Sequence, residues 1–465
     1  MEIVGRKPEI QRLTHALQSQ NSELVVVYGR RRIGKTFLIR EFFKENIVFE
    51  VAGLYDGNLS DQLAVFYKQL NQGKKAKQTW MEAFSDLEKH INRLRSKKKK
   101  VIFIDEFPWL ATKRSKFLMA FDHFWNTYCT KRDDLAVVIC GSAASYMIKN
   151  IINNKGGLHN RITQKIRLLP FNLSETQEYL QHKKIQYTHY DILQIYMSLG
   201  GVPYYLSQLE KGKSATQNID KLCFDKNAPL KDEFDLLFAS LFQNSEIHLK
   251  MVEALHKKNS GLTRDELIGL TKLKSGGDFT SKLQELIESG FVSEHPFYQN
   301  KNKSTKYRLS DEYTKFYLKF IVPNKHSGAG TWQRLSKNQS FISWAGFAFE
   351  SIGLKHIEQI KKALGIQAIY ATDSSWYNEH AQIDLLIDRD DHVINLCEMK
   401  FYNSTFTIDK KYYAELKNKI AAFQQETQTS KNLFLTMITS YGVSSNEYAK
   451  ELVQNEIRLE DLFNT

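Results

Sequence analysis

YGRRRIGKTFLIREFF, from Tyr28 to Phe43, decides how the chain is read. Four apolar residues before it, Leu24 to Val27, form a short buried strand. Phe37, Leu38, Ile39, Phe42 and Phe43 line an amphipathic helix after it. Between the two, Gly29, four residues, then Gly34, Lys35 and Thr36 satisfy G-x-x-x-x-G-K-[ST] at every position. Phosphate binding needs this grammar. Glycines let the backbone wrap a phosphate, and successive N–H groups with the helix N-terminus supply partial positive charge. Lys35 adds a full charge and the Thr36 hydroxyl is a ligand for Mg²⁺. The candidate nucleotide contacts are therefore Gly29, Arg30, Arg31, Arg32, Ile33, Gly34, Lys35, Thr36 and Phe37. A plain strand-to-helix turn is the competing reading, and pattern and context together outweigh it.

A second strand with matching chemistry follows at VIFIDE, where Val101 to Ile104 end in Asp105 and Glu106. An aspartate at a buried strand tip can hold the shell of a magnesium ion, and the next glutamate can take a proton from attacking water. A third apolar strand, Leu135 to Cys140, ends in Gly141 and Ser142, which puts Ser142 where it could sense the γ-phosphate. Arg161 lies between a glycine-bearing turn and a further strand. It reads equally as a transition-state arginine, for its own site or a neighbour's, and as an ordinary surface residue.

Composition bounds the rest. A chain of 465 residues exceeds a single usual core, so two to four domains are expected. The net charge of +13 and pI near 9.2 suit a polyanionic partner such as DNA. Cys129, Cys140, Cys223 and Cys397 form no C-x-x-C pair and read as buried thiols of a reducing compartment. The N-terminus lacks a signal-peptide core and no run approaches a membrane span, so a cytoplasmic protein is expected. The run Lys97 to Lys100 reads more readily as a solvated turn than as a nucleic-acid contact.

VGR near the start, GRRRIGKT, IDEFPWL, CGS, the Arg161 region and GGVPYYL (Gly200 to Leu206) together resemble the archaeal-type ATPases of prokaryotes. These belong to the AAA+-related, STAND-like branch of P-loop NTPases. The resemblance implies ATP as ligand and a parallel sheet with helices on both faces, the Gly-Ser strand lying between the two Walker strands. It also implies that Val4, Gly5 and Arg6 help seat the adenine.

Beyond this domain (1–215), residues 216–325 read as short helices followed by a hairpin. Thr263 N-caps the second helix and Gly290 stops the third, a winged-helix pattern. Lys301, Lys303 and Lys306 could rest on phosphates, although a lid on the ATPase core explains the same pattern.

In the remainder, 326–465, a helical pattern from Phe341 to Leu364 carries Glu350, and AQIDLLID and HVINLCEMKF form two apolar strands. A hairpin centred near Asp390 sets Asp384 opposite Leu396, with Glu398 one step diagonal. Asp384, Glu398 and Lys400 then share one face. Two carboxylates and a lysine suit metal-assisted phosphodiester hydrolysis, with Asp384 and Glu398 as Mg²⁺ ligands. An aspartate followed by E-x-K resembles the PD-(D/E)XK nucleases, which implies a restriction-endonuclease-like α/β domain with Glu350 as a further acid. The stretch from Phe401 to Lys419, with Tyr412 and Tyr413, could hold a nucleic-acid strand or be a helix with its tyrosines packed inward. Two functions remain: an ATPase controlling a DNA nuclease, and a STAND-like regulator that only binds DNA or a protein partner.

Overall fold

The computed structural model describes all residues except 1, 72–78, 97, 113, 154–157, 159, 243, 300–304 and 465. The chain divides into two compact units, Met1–Pro170 with Leu241–Gln243, and Phe171–Ser240 with Asn244–Thr465. The expected boundaries near 215 and 325 both fall within the second unit.

The first unit is built on five parallel strands: β1 (Glu23–Tyr28), β2 (Ile47–Ala52), β3 (Lys100–Asp105), β4 (Leu135–Gly141) and β5 (Gln164–Arg167). Their order is β2-β3-β4-β1-β5, so the Gly-Ser strand does lie between the two expected Walker strands. Strand alternation explains the layers. Leu24 and Val26 of β1 enter one core with the helices Leu59–Gln69, Trp80–Asn92 and Phe117–Thr127. Val25 and Val27 enter another with the helices Lys7–Gln18 and Lys35–Phe43. A strand buried on both faces must be apolar at every position, and VVV and VIFI are. Each such side chain contributes about 1.5–3 kcal/mol when buried.

The lysine run is not a solvated face throughout. Lys100 opens β3 and pairs with Asp134 at 2.5 Å, while Lys99 donates to the carbonyls of Ser19 and Asn21. Lys98 keeps a surface pair with Glu45, and residue 97 lies outside the described residues.

In the second unit the helices Glu246–Lys257, Arg264–Thr271 and Gly277–Glu288 precede an antiparallel hairpin of β6 (Val292–His295) and β7 (Lys306–Leu309). Thr263 caps the middle helix in a reciprocal box with Glu266. Downstream, β8 (Ala371–Tyr377), β9 (Gln382–Arg389), β10 (Val393–Lys400), β11 (Asn432–Thr439) and β12 (Val453–Arg458) form a mixed sheet in the order β12-β11-β10-β9-β8. The first three strands are antiparallel, and β10, β11 and β12 run parallel.

Two local expectations need correction. The helical pattern from Phe341 to Leu364 is two helices, Gln339–Lys355 and Ile357–Ala363, parted at His356. There the buried imidazole accepts the Leu173 N–H at Nε2 and faces the Ile352 carbonyl through Nδ1. The β9–β10 register also differs: Leu396 pairs with Leu386, not with Asp384. The turn is centred on Asp391, one residue later than expected, and its three-residue loop, 390–392, closes through His392 in a left-handed conformation (φ 61°). Continuing the observed register sets Asp384 directly across from Glu398.

Candidate active site

The loop after β1 bends through Gly29 (φ 147°), Arg32 (φ 70°) and Gly34 (φ 86°). A Cβ at Gly29 would stand 2.3 Å from the Leu168 carbonyl, so only glycine fits there. Around Gly34 nothing lies within 4 Å of such a Cβ, so the positive φ rather than space favours glycine there. Lys35 is buried, and its Nζ donates to the carbonyls of Gly29 (2.9 Å) and Arg30 (2.8 Å). Burial lowers its pKa, partly offset by Cys140, Glu106 and Asp105. Thr36 Oγ1 donates to Asp105 Oδ2 at 2.7 Å. The hydroxyl and carboxylate expected to share a cation thus already meet.

Glu106 sits in the left-handed region (φ 43°), a conformation that costs a non-glycine residue of order 1–3 kcal/mol. Held so, its Oε2 accepts from Ser142 N–H at 3.1 Å and Ser142 Oγ at 2.8 Å. Arg31 lies 5.8 Å from the Trp109 ring centroid. This donor set fits a nucleoside triphosphate with Mg²⁺: backbone N–H groups, an ammonium, a hydroxyl, and two carboxylates at the tip of β3.

Arg6 is buried rather than extended toward a base. Its Nη1 donates to Leu169 O (2.7 Å) and its Nη2 to Ile33 O (3.2 Å), which braces the loop from behind. Val4 is buried beside it, and Gly5 takes a positive φ of 64°. Phe37, on the helix after the loop, is 38% exposed.

Arg161 does not reach its own chain's site. Thr163 N–H donates to Leu24 O, so Arg161 stands at the N-terminal edge of the sheet. Five residues of strand, about 16 Å, separate Leu24 from Gly29. The arginine at the phosphate end of β5 is Arg167, whose partner in register is Tyr28. Strand register, which the sequence does not display, decides between the two.

The second constellation lies wholly within the other unit. Asp384 Oδ1 accepts from Arg308 Nη2 and from Gln382 Nε2, both at 2.6 Å. Glu398 Oε1 accepts from Tyr412 OH at 2.6 Å and lies 3.2 Å from Lys400 Nζ, while Lys419 Nζ reaches Oε2 at 2.9 Å. Glu350 projects from the helix Gln339–Lys355, and burial followed by the nearby Asp384 charge pushes its pKa up to about 8. For Asp384, burial works upward, but Arg308 and the hydrogen bonds outweigh it and hold the carboxyl below its usual range.

The structure therefore brings Asp384, Glu398 and Lys400 together and adds three residues: Arg308, Tyr412 and Lys419. Tyr412 and Lys419 turn inward to Glu398 rather than outward to a strand of nucleic acid. Arg308, from β7, stands 76 positions from its partner, and no sequence spacing signals it. Lys306, expected on phosphates, is 5% exposed and lies 3.4 Å from the Tyr377 ring centroid. Lys301 and Lys303 lie outside the described residues.

Three cations, Arg308, Lys400 and Lys419, face the Asp384 and Glu398 carboxylates. Among the described residues no group of three His, Cys, Asp or Glu is placed to hold a metal ion. As arranged, this site does not fit a divalent cation.

The fold and loop of the first unit define a P-loop NTPase domain. Residues 3–209 match the family described as an ATPase domain predominantly from Archaea. A Methanocaldococcus jannaschii protein described as uncharacterized is 26% identical over 422 residues, 90% of this chain and 91% of that protein. An uncharacterized ATP-binding protein of the same organism is 42% identical over 42 residues, 9% of this chain and 71% of its own. Among solved structures, the Walker-type ATPase of Pyrococcus abyssi aligns at TM-score 0.48 and 16% identity, covering 68% of this chain and 96% of that one. The Aeropyrum pernix ORC2 protein, in ADPNP–ADP complexes, aligns at TM-score 0.42 and 17% identity over 72% and 96%. No helix among the described residues is long and apolar enough to cross a membrane.

Proposed function

We propose that the chain is a cytoplasmic ATP-binding and ATP-hydrolysing switch acting on DNA. The ATPase domain, 1–215, governs a nuclease-like domain, 326–465, by way of a winged-helix segment, 216–325. The observation that carries the hydrolytic half is the pair of hydrogen-bonded contacts at the strand tips, donated from Thr36 to Asp105 and from Ser142 to Glu106. The loop N–H groups and Lys35 hold the phosphates, and Arg6 keeps the loop in shape. Thr36 and Asp105 would hold Mg²⁺, which when bound neutralises charge on the transferring phosphoryl group. Glu106 orients and deprotonates the attacking water, aligned by Ser142. The net charge of +13 supports a nucleic-acid partner. Arg161, at the far edge of the sheet, would serve a neighbouring copy's site if the protein assembles into a homo-oligomer.

A second reading is favoured by one specific observation: both carboxylates of the second site are already paired with cations. On this reading the chain is a non-nucleolytic, STAND-like regulator whose C-terminal unit only binds DNA or a protein. The test is to measure ATP hydrolysis with and without DNA, and cleavage of linear, circular and single-stranded DNA with Mg²⁺, beside Lys35→Ala and Glu398→Ala. Lys35-dependent hydrolysis with Glu398-dependent cleavage supports the first reading. Hydrolysis stimulated by DNA without cleavage of any substrate supports the second. Absence of Lys35-dependent hydrolysis would sink both.

A further inference from the structure

Arg308 is 7% exposed, and its Nη2 holds Asp384 Oδ1 at 2.6 Å. It is carried by β7, and the β6–β7 hairpin is fastened to the sheet that bears Asp384. Tyr298 N–H donates to Ser375 O and Ser375 N–H to Pro296 O, both at 2.9 Å, joining the hairpin's loop to edge strand β8. Phe297 meets Tyr377 edge-on at 5.1 Å, and Tyr298 packs on Phe423 at 5.3 Å. The hairpin that would serve as the wing of a DNA-binding module is thus docked, and it delivers a guanidinium to the expected cation ligand.

The grip is partial. Arg308 Nε is buried without a hydrogen-bond partner, so the pair lacks the two-armed fork that makes arginine–carboxylate contacts strongest. A buried carboxylate needs a compensating positive group, and either a guanidinium or a divalent cation supplies one. From this geometry we propose that Arg308 and a divalent cation compete for Asp384: the docked hairpin keeps the cation out, and withdrawal of Arg308 admits it. The proposal rests on the nuclease-like reading and adds to it a closed state built from the hairpin.

The test is Mn²⁺ titration of the full chain, without nucleotide, followed by calorimetry and by the Mn²⁺-induced rise in Tm. The chains compared are wild type, Arg308→Met, Arg308→Met with Asp384→Asn, and Arg308→Lys. Removing the guanidinium is expected to tighten Mn²⁺ binding by about tenfold or more, as one close charge pair warrants, and adding Asp384→Asn should abolish the gain. Arg308→Lys, which keeps the charge and the fold if methionine does not, should stay near wild type, with a smaller Mn²⁺-induced Tm rise than Arg308→Met wherever the latter folds. Equal, Asp384-dependent affinity in all Asp384-bearing chains overturns the competition while leaving the cation reading intact. No Asp384-dependent binding in any chain overturns the cation reading, and this proposal with it.

Discussion

Ser142 donates its backbone N–H, at 3.1 Å, and its hydroxyl, at 2.8 Å, to the same carboxylate oxygen of Glu106. The contact joins the tips of β3 and β4, which are neighbours in the sheet. It fixes a carboxylate that the left-handed backbone at Glu106 has already aimed. Glu106→Gln keeps the shape and removes the base. Hydrolysis is expected to fall about 100-fold or more, while a fluorescent ATP analogue stays bound. Retained turnover would assign the base elsewhere.

Ser142→Ala removes one of the two donors and leaves the backbone N–H. A hydrogen bond to a charged group is worth about 1.5–3 kcal/mol, so kcat should drop by about tenfold or more with KM for ATP little changed. A rise in KM alone would instead make Ser142 a phosphate contact.

The two arginines of the β5 region separate cleanly by position. Arg167, level with Tyr28, stands at the phosphate end, and Arg161 stands beyond Leu24 at the opposite end. Under dilute conditions where the protein is monomeric, Arg161→Ala should leave ATP turnover unchanged and Arg167→Ala should lower it. The reverse outcome would contradict the strand register.

What the sequence disclosed follows from how local each piece of chemistry is. The phosphate loop is contiguous, so Gly29 to Thr36 could be read whole, and doubly buried strands announce themselves as VVV and VIFI. The pairing of Asp384 with Arg308 spans 76 positions and two separate sheets, and no periodicity encodes it. The β9–β10 register turned on one left-handed residue, His392, whose side chain gives no glycine signal. Arg161 precedes β5 by three positions in sequence, but which end of a strand faces the loop is set by pairing.

Stability of the ATPase unit should depend on Asp134, which accepts from Arg132 Nη2 at 2.7 Å and from Lys100 Nζ at 2.5 Å, the lysine being almost wholly buried. Arg132 first, against the opposing effect of burial and with help from Lys100, holds the Asp134 carboxyl well below the usual range. A depressed carboxyl contributes stability above its unfolded pKa, and that contribution is lost as pH falls through the folded value. Asp134→Ala leaves Lys100 buried without its partner and should cost about 2–4 kcal/mol in urea unfolding near neutral pH. The deficit against wild type should shrink in acid.

Glu350 works with the opposite sign. Burial and then the Asp384 charge raise its pKa from 4.5 to about 8. Between those two values the folded chain keeps a proton that the unfolded chain has lost. Stability from this group is therefore fully present below about pH 4.5, and it falls as pH rises through about 8. Glu350→Gln carries the neutral form at every pH and removes that slope. Its Tm relative to wild type should rise between about pH 5 and about pH 9, measured on the full chain without metal. Parallel Tm curves for the two proteins would mean that Glu350 is ionised in the folded state, and that Arg308 and Lys400 compensate it rather than Asp384 alone.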